Sequence, residues 1–379
     1  MLIYLIAGEA SGDALGARLI AALRQRDPSL TFAGIGGERM AEVGFTSLFP
    51  MRELALMGLI EVLPNIRRLA RRLDETTQDI TARRPAAIVT IDSPGFALRV
   101  AERVKPLGIP LIHYVAPQVW AWRPGRIAKI RQRVDRILCL LPFESVIFEG
   151  AGIPATFVGH PVLESGADTG DAARFRAMHG LRDDERVLLV MPGSRRIEVR
   201  RLLPIFGATL RLLTQRAPGL CPVFAVSPGV AEHGRAGTAD WPARPILVDT
   251  LLDKHDAFAA AAVGLIKSGT SSLEMAVAGV PHLIAYRVNP LTAAIVRRLV
   301  RVPYASLVNL LSEREVVPEF IQERATPEAL AAGLARLLSA DAIAAQRAAF
   351  AHVIDKLHPL GFAPSEAAAD AVIAHLRRA

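Results

Sequence analysis

The stretch Lys267-Ser268-Gly269-Thr270-Ser271-Ser272-Leu273-Glu274 follows an apolar run, Ala259 to Ile266, and opens a helix. Gly269 permits a sharp turn, and Thr270, Ser271 and Ser272 are all acceptable N-cap residues. A helix start offers N–H groups and partial positive charge, which attract phosphate. Glu274, one turn inside, suits a pair of sugar hydroxyls. Together these residue types suggest a nucleotide-sugar, although a plain capped strand-to-helix turn accounts for them equally well. Gly193-Ser194-Arg195 supplies the matching half-site. It brings turn amides, a hydroxyl and a guanidinium suited to phosphate oxygens and to a departing diphosphate. Asp92 stands one residue beyond a buried strand, where a carboxylate can take a proton from a hydroxyl; N-capping of the helix over 96–104 is the structural alternative.

The elements that must position these residues are legible as strand–loop–helix units. Leu2 to Ala7 is a continuous apolar strand followed by Gly8-Glu9-Ala10-Ser11-Gly12-Asp13, then a helix over 14–24. Further strands are expected at 86–91, 109–115, 136–141 and 155–158. The composition turns polar and small over 164–185, as in a linker or hinge, and the pattern then restarts. Strands at 186–191, 223–227, 245–248, 259–266 and 280–286 follow, with helices near 198–217 and 290–300. From 326 to 378 the chain reads as helical and alanine-rich, broken near Pro359 and Pro364. The expected fold class is α/β, with two Rossmann-like parallel-sheet domains facing a cleft and a helical C-terminal tail. The expected boundaries are 1–166, 167–340 and 341–379.

Composition excludes several classes. With 51% apolar residues the chain is globular, and its mean hydropathy of +0.30 prompts a search for a membrane span. The longest charge-free run, 106–122, holds three prolines and is too short to span. Cys139 and Cys221, far apart in apolar contexts, read as free thiols. The GxGxxG fingerprint, the P-loop, GxSxG and HExxH are all missing, so neither a cofactor nor a metal has support. Lys plus Arg number 45 against 37 Asp plus Glu, giving +8 and a sequence pI near 10.0. Such a surplus favours anionic partners. In 57–73, Val62, Ile66, Leu69 and Leu73 recur at helical spacing with Arg67, Arg68, Arg71 and Arg72 between them. This pattern suits either an amphipathic helix on a bilayer surface or a surface helix packed on its own sheet. Trp120-Ala121-Trp122-Arg123-Pro124-Gly125-Arg126 pairs aromatics with cations. Asn309, an amide in an apolar neighbourhood, serves either backbone groups or a ligand.

Taken in order, these segments resemble the lipid-A-disaccharide synthase family of bacterial glycosyltransferases, which have the GT-B fold. The resemblance runs over nearly the whole chain. It rests on Ala7 to Asp13 (AGEASGD), Met57 to Leu63, Ile91 to Phe96, His113 to Arg123 (HYVAPQVWAWR) and Leu141 to Glu144. It continues through Gly159-His160-Pro161, Met191 to Arg195, Ser268 to Glu274, Tyr286-Arg287 and Ser306 to Leu311.

The resemblance implies transfer of 2,3-diacylglucosamine from UDP to 2,3-diacylglucosamine 1-phosphate, with inversion to a β-1,6-linked disaccharide and release of UDP. It implies Asp92 as the base that deprotonates the acceptor's 6-hydroxyl. Gly193, Ser194 and Arg195 would hold the diphosphate, with Ser268, Gly269, Thr270, Ser271 and Ser272 as the helix-end phosphate site. Glu274 would hold the ribose, and Asn309 would lie close to the diphosphate. Glu9, Ser11, Gly12 and Asp13 would line the acceptor side, with Arg123 and Arg126 as candidates for its phosphate. No cofactor, metal or nucleic acid is implied. The family resemblance also implies a homodimer, held peripherally on the cytoplasmic face of the inner membrane of a Gram-negative bacterium. The family often carries a second acid three residues after the first; here that place is Gly95, which concentrates the base on Asp92. Rival readings are another UDP-sugar transferase or epimerase of the same fold, and a non-catalytic carrier of an anionic lipid.

Overall fold

The computed structural model describes all residues except 55–58, 120–123, 227, 301, 360 and 378–379, with the backbone alone given for 59–65, 124, 228, 291, 295 and 296. Its chain divides into two compact units, Met1–Pro161 with Leu357–Ala379, and Val162–Lys356. Each is built on a six-stranded, wholly parallel sheet.

The first sheet comprises β1 (Leu2–Ala7), β2 (Thr31–Ile35), β3 (Ala87–Ile91), β4 (Leu111–Tyr114), β5 (Arg136–Cys139) and β6 (Ala155–Phe157). Their order is β2-β1-β3-β4-β5-β6. All residues of β3 and β4 are buried, because helices cover both faces, which is why these strands are continuous apolar runs. The second sheet comprises β7 (Arg186–Met191), β8 (Leu220–Ala225), β9 (Ile246–Val248), β10 (Ala261–Lys267), β11 (His282–Tyr286) and β12 (Glu319–Ile321). Its order is β12-β11-β10-β7-β8-β9. In each sheet the chain winds one way and then restarts on the other side of its first strand. The reversal falls between β1 and β3 in one unit and between β7 and β10 in the other. Open α/β sheets bind ligands outside the carboxyl ends of strands at such reversals.

The order of strands matches the two-sheet α/β expectation, but β2 and β12 are additions to it. Both are edge strands. Gly34 interrupts the apolar run of β2 at φ +127°, and a Cβ there would lie 2.0 Å from the Leu5 carbonyl oxygen.

Two boundaries differ from those read in the sequence. The polar stretch over 164–185 is folded onto the second unit instead of acting as a free linker. Its Arg174 donates to both oxygens of the buried Asp256 at 2.6 and 2.7 Å, and the Asp171 amide donates to the same carboxylate at 2.7 Å. Asp256 is accordingly held below the usual carboxylate range, chiefly by Arg174. The helical tail is also not one piece. The helix Ala340–Leu357 belongs almost wholly to the second unit, whereas Pro364–Leu376 packs on the helix Ala10–Arg26 of the first. Ala368, Ala369 and Val372 join its core there, and Arg26 pairs with Asp370.

The basic amphipathic segment forms the helix Leu59–Arg83. Leu73 and Ile80 enter the first unit's core while Ile66 stays 50% exposed. Arg67 and Arg71 are exposed, but Arg72 is not a surface cation. It donates to both oxygens of Glu53 at 2.7 and 2.9 Å, reaches Glu75 at 2.5 Å, and lies over the Phe49 ring. Among the described residues, no helix is long and apolar enough to cross a membrane.

Candidate functional site

The carboxyl edge of the first sheet concentrates backbone strain. Asp92 and Ser93 have φ of +52° and +44°, and Val115, directly after β4, has +79°. Left-handed backbone is uncommon for any non-glycine residue and a true outlier for a β-branched one. Strain of this kind persists only where the surroundings enforce it, and it clusters at functional sites. Here the Asp92 amide donates to the Tyr114 carbonyl at 2.9 Å and the Val115 amide to Leu138 at 3.1 Å. The kinked turn throws Ser93 against β1's exit loop. Gly8 is buried there, and a Cβ on it would lie 2.4 Å from Ser93 Oγ.

The result is an Asp92 carboxylate held at the reversal point and half-buried. Its Oδ1 accepts from the Ser93 amide at 2.8 Å, and its Oδ2 accepts from the Ser11 hydroxyl at 2.9 Å. Each carboxylate oxygen has further lone-pair capacity, so both bonds leave room for a substrate hydroxyl. Below it, His113 is fully buried and bonded through Nδ1 to Thr90 Oγ1 at 2.7 Å. Burial pulls its pKa down to about 4, so it is neutral at pH 7.

The other residues of the first loop divide by role. Glu9 occupies the N-cap of Ala10–Arg26 and is half-buried. Gly12 lets that helix approach β3, since a Cβ would sit 3.1 Å from the Ile91 carbonyl oxygen. Asp13 corrects the sequence reading. It is 4% exposed, and its oxygens accept the amides of Gly37, Met40 and Arg39 at 2.7, 3.1 and 2.9 Å. It is therefore a structural cap on the helix Glu38–Glu42, with little capacity left to line an acceptor site. Arg126 is exposed at the end of a short turn, and Arg123 lies outside the described residues.

In the second unit, Gly193, Ser194 and Arg195 follow β7, and Ser268 to Glu274 follow β10, its immediate neighbour. Gly193 adopts φ +116°, and a Cβ would fall 2.4 Å from Glu198 Oε2. Arg195 is the N-cap of the helix Arg196–Arg216, with its side chain 58% exposed. The two loops are joined by an ion pair, Lys267 Nζ to Glu198 Oε1 at 3.2 Å. Glu274 is held by Lys254 at 2.9 and 3.0 Å, which fixes the carboxylate while leaving it part-exposed.

Two expected ligands belong instead to a buried scaffold beneath the helix Ser271–Val277. Ser272 is fully buried, with Oγ 2.8 Å from His282 Nε2 and 3.1 Å from Ser306 Oγ. His282 Nδ1 lies 2.9 Å from the Val280 carbonyl, so this nitrogen carries the proton and Nε2 accepts from Ser272. Asn309 is also fully buried. Its amide donates to the Val317 carbonyl at 2.7 Å and to Glu319 at 2.8 Å, and its oxygen accepts the amides of Val316 and Val317, both at 2.8 Å. All four hydrogen-bonding positions are taken, so the expectation of an Asn309 contact to diphosphate is corrected to a positioning role. Glu319 accepts the amides of Ala305 and Ser306 and so fixes the loop that receives the Ser268 hydroxyl at 2.9 Å.

The helix end is also less open than its sequence suggests. The amides of Ser272, Leu273 and Glu274 donate to the carbonyls of Gly269 and Thr270 at 2.9 to 3.3 Å. Thr270 remains exposed and Ser271 half-buried. Sequence reasoning named Lys267 in the stretch without giving it a role, and missed Glu198, His282 and Glu319; the spacing of Glu198, three residues after the N-cap Arg195, is the one signal that pointed to it.

Comparison with known proteins bears on both units. The family described as Lipid-A-disaccharide synthetase matches residues 3–372. A Lipid-A-disaccharide synthase of Granulibacter bethesdensis is 54% identical, covering 97% of this chain and 95% of the relative. One from Gluconobacter oxydans is 52% identical, covering 97% and 89%. In structure, S. aureus MnaA, solved with UDP, superposes with a TM-score of 0.66 at 13% identity over 99% of this chain and 96% of that one. That level of identity speaks for the two-sheet GT-B fold alone.

Proposed function

Since the chain belongs to the lipid-A-disaccharide synthetase family of glycosyltransferases, we propose that it moves 2,3-diacylglucosamine from UDP to 2,3-diacylglucosamine 1-phosphate with inversion at the transferred carbon. The observation that carries this reading is the strained, doubly hydrogen-bonded Asp92 at the first reversal point. The acceptor's 6-hydroxyl gives its proton to the Asp92 carboxylate while its oxygen bonds to the donor's anomeric carbon. The bond from that carbon to the diphosphate oxygen breaks in the same step, and its electron pair leaves with UDP. Gly193 to Arg195 and the turn at Ser268 to Ser271 receive the diphosphate, and Glu274 holds the ribose. Ser11 orients the base, and Glu9 lines the acceptor side. A single carboxylate suffices, because one displacement needs one base.

The same reading places the enzyme on the cytoplasmic face of the inner membrane, as a homodimer that collects its acylated substrates from the bilayer. Arg67 and Arg71 with the exposed Ile66 support the bilayer contact; Arg72, committed to Glu53, does not take part. Replacing Arg67 and Arg71 by Ser lowers co-sedimentation with anionic vesicles, and unchanged co-sedimentation removes this helix from membrane contact. Size-exclusion chromatography with light scattering tests the dimer.

The deciding experiment is mass spectrometry of the products formed from a diacylated UDP-glucosamine and a diacylated glucosamine 1-phosphate. A disaccharide 1-phosphate is expected. Turnover of the non-acylated UDP-sugar alone would instead mark a different UDP-sugar enzyme of this fold.

A further inference from the structure

Glu198 collects more positive charge than a helix cap requires. As a cap it needs only the Arg195 amide, which donates to Oε2 at 3.3 Å. Its Oε1 also lies 3.2 Å from Lys267 Nζ and 3.6 Å from Arg195 Nη1. The carboxylate is only 11% exposed, and the Lys267 side chain 21%. Two cations from the ends of adjacent strands thus share one acid at the second reversal point.

The surroundings keep Lys267 in this place. Its ammonium lies 5.4 Å from the centre of the Tyr286 ring. It is also 3.5 Å from where a Cβ on Gly269 would stand. At that ordinary contact distance the ammonium lies against the very turn assigned to phosphate. An ammonium is a compact point charge that suits phosphate oxygens, and it complements the planar guanidinium of Arg195.

Resting on the donor-site reading above and deepening it, we propose that Lys267 Nζ binds the diphosphate of the donor beside Arg195. Glu198 is the counter-ion of both cations until the diphosphate displaces it. When the bond to the anomeric carbon breaks, negative charge grows on the departing phosphate oxygen, and the two cations stabilise it. Glu198 in turn keeps the released product from being held too tightly, since its carboxylate competes for the same charges.

Calorimetry with uridine, UMP and UDP on the full-length protein tests this. In Lys267→Gln, UDP affinity is expected to fall roughly tenfold or more, as for loss of one charge-assisted contact, with uridine affinity unchanged. Lys267→Arg should restore most of the difference between UDP and uridine. In Glu198→Gln, UDP should bind roughly threefold to tenfold more tightly and with a steeper loss of affinity on adding salt. Equal UDP affinity in wild type and Lys267→Gln overturns the Lys267 contact, as does an equal loss for UDP and uridine. Weaker UDP binding by Glu198→Gln overturns the counter-ion role. A wild type that does not prefer UDP to uridine overturns the donor-site reading itself, and this proposal with it.

Discussion

The two reversal points share a topology but hold their polar side chains in different ways. At the first, between β1 and β3, one carboxylate is held by neutral hydrogen bonds on a strained backbone, and among the described residues no ion pair restrains it. At the second, between β7 and β10, positive φ falls on Gly193, where it costs little, and the side chains are ion-paired: Lys267 and Arg195 with Glu198, Lys254 with Glu274. The base proposed here must have a lone pair free to receive a proton, and two hydrogen bonds, from Ser11 and one backbone amide, leave the Asp92 carboxylate that capacity. Cations suit a phosphate site, and the largely buried Lys267 is held there by the carboxylate of Glu198. The difference between the sites matches the proton transfer proposed for the first and the charge stabilisation proposed for the second.

Breaking the first site should have the largest effect. Asp92→Asn keeps the shape and removes the base, so kcat should fall by about 10³-fold, within the range of general-base loss, while UDP binding stays intact. An unchanged rate would take Asp92 out of the chemistry and erase the contrast. Next in size, Arg195→Ala should lower kcat/KM for the donor by roughly 10²-fold, because one cation facing the departing diphosphate is gone. A loss confined to acceptor KM would count against its placement at the donor. Gly8→Ala offers a finer cut. Its Cβ would meet Ser93 Oγ, so the Asp92 turn must shift by tenths of an ångström, and kcat should drop about tenfold with the fold retained. Full activity in this variant would mean that the left-handed turn is not needed for catalysis.

The smallest effect concerns stability and separates the buried scaffolds from the sites. His113 and His282 are pulled by burial to about 4, and His160 likewise. Their folded pKa values lie below the ordinary histidine value, so the unfolded chain binds more protons between about pH 6.5 and 4. Stability from these groups is complete above that window and is lost as the pH falls through it. Thermal melts should therefore drop between pH 7 and pH 5, before most carboxylates titrate. Replacing His282 with Gln should flatten part of that slope at some cost in melting temperature at pH 7, and an unchanged slope would discount its contribution.

Much of the architecture could be read directly from residue order. Strands such as Leu2–Ala7 and Ala87–Ile91 are continuous apolar runs because both faces of a parallel sheet are covered, and that pattern needs no tertiary knowledge. Edge strands β2 and β12 escaped it, since they are only part-covered and polar or special residues, Thr31 and Gly34 in one and Glu319 in the other, break the apolar run. The linker reading of 164–185 failed for a similar reason. Polar, small residues do not reveal that a buried Asp256, far along the chain, will anchor Arg174.

For the sites, sequence alone determined which residue types stand at the carboxyl ends of which strands: Asp92 after β3, Gly193 to Arg195 after β7, and Lys267 to Glu274 at and after β10. Local order fixes this much, because a strand's exit and a helix's start are set by neighbours along the chain. It could not determine which polar groups remain available. Asp13, Ser272 and Asn309 look like ligands by type and position, yet tertiary contacts from Gly37, His282 and Val317 consume their hydrogen-bonding capacity. Only the folded chain decides this, because buried polar groups must be satisfied by whatever long-range packing brings within reach.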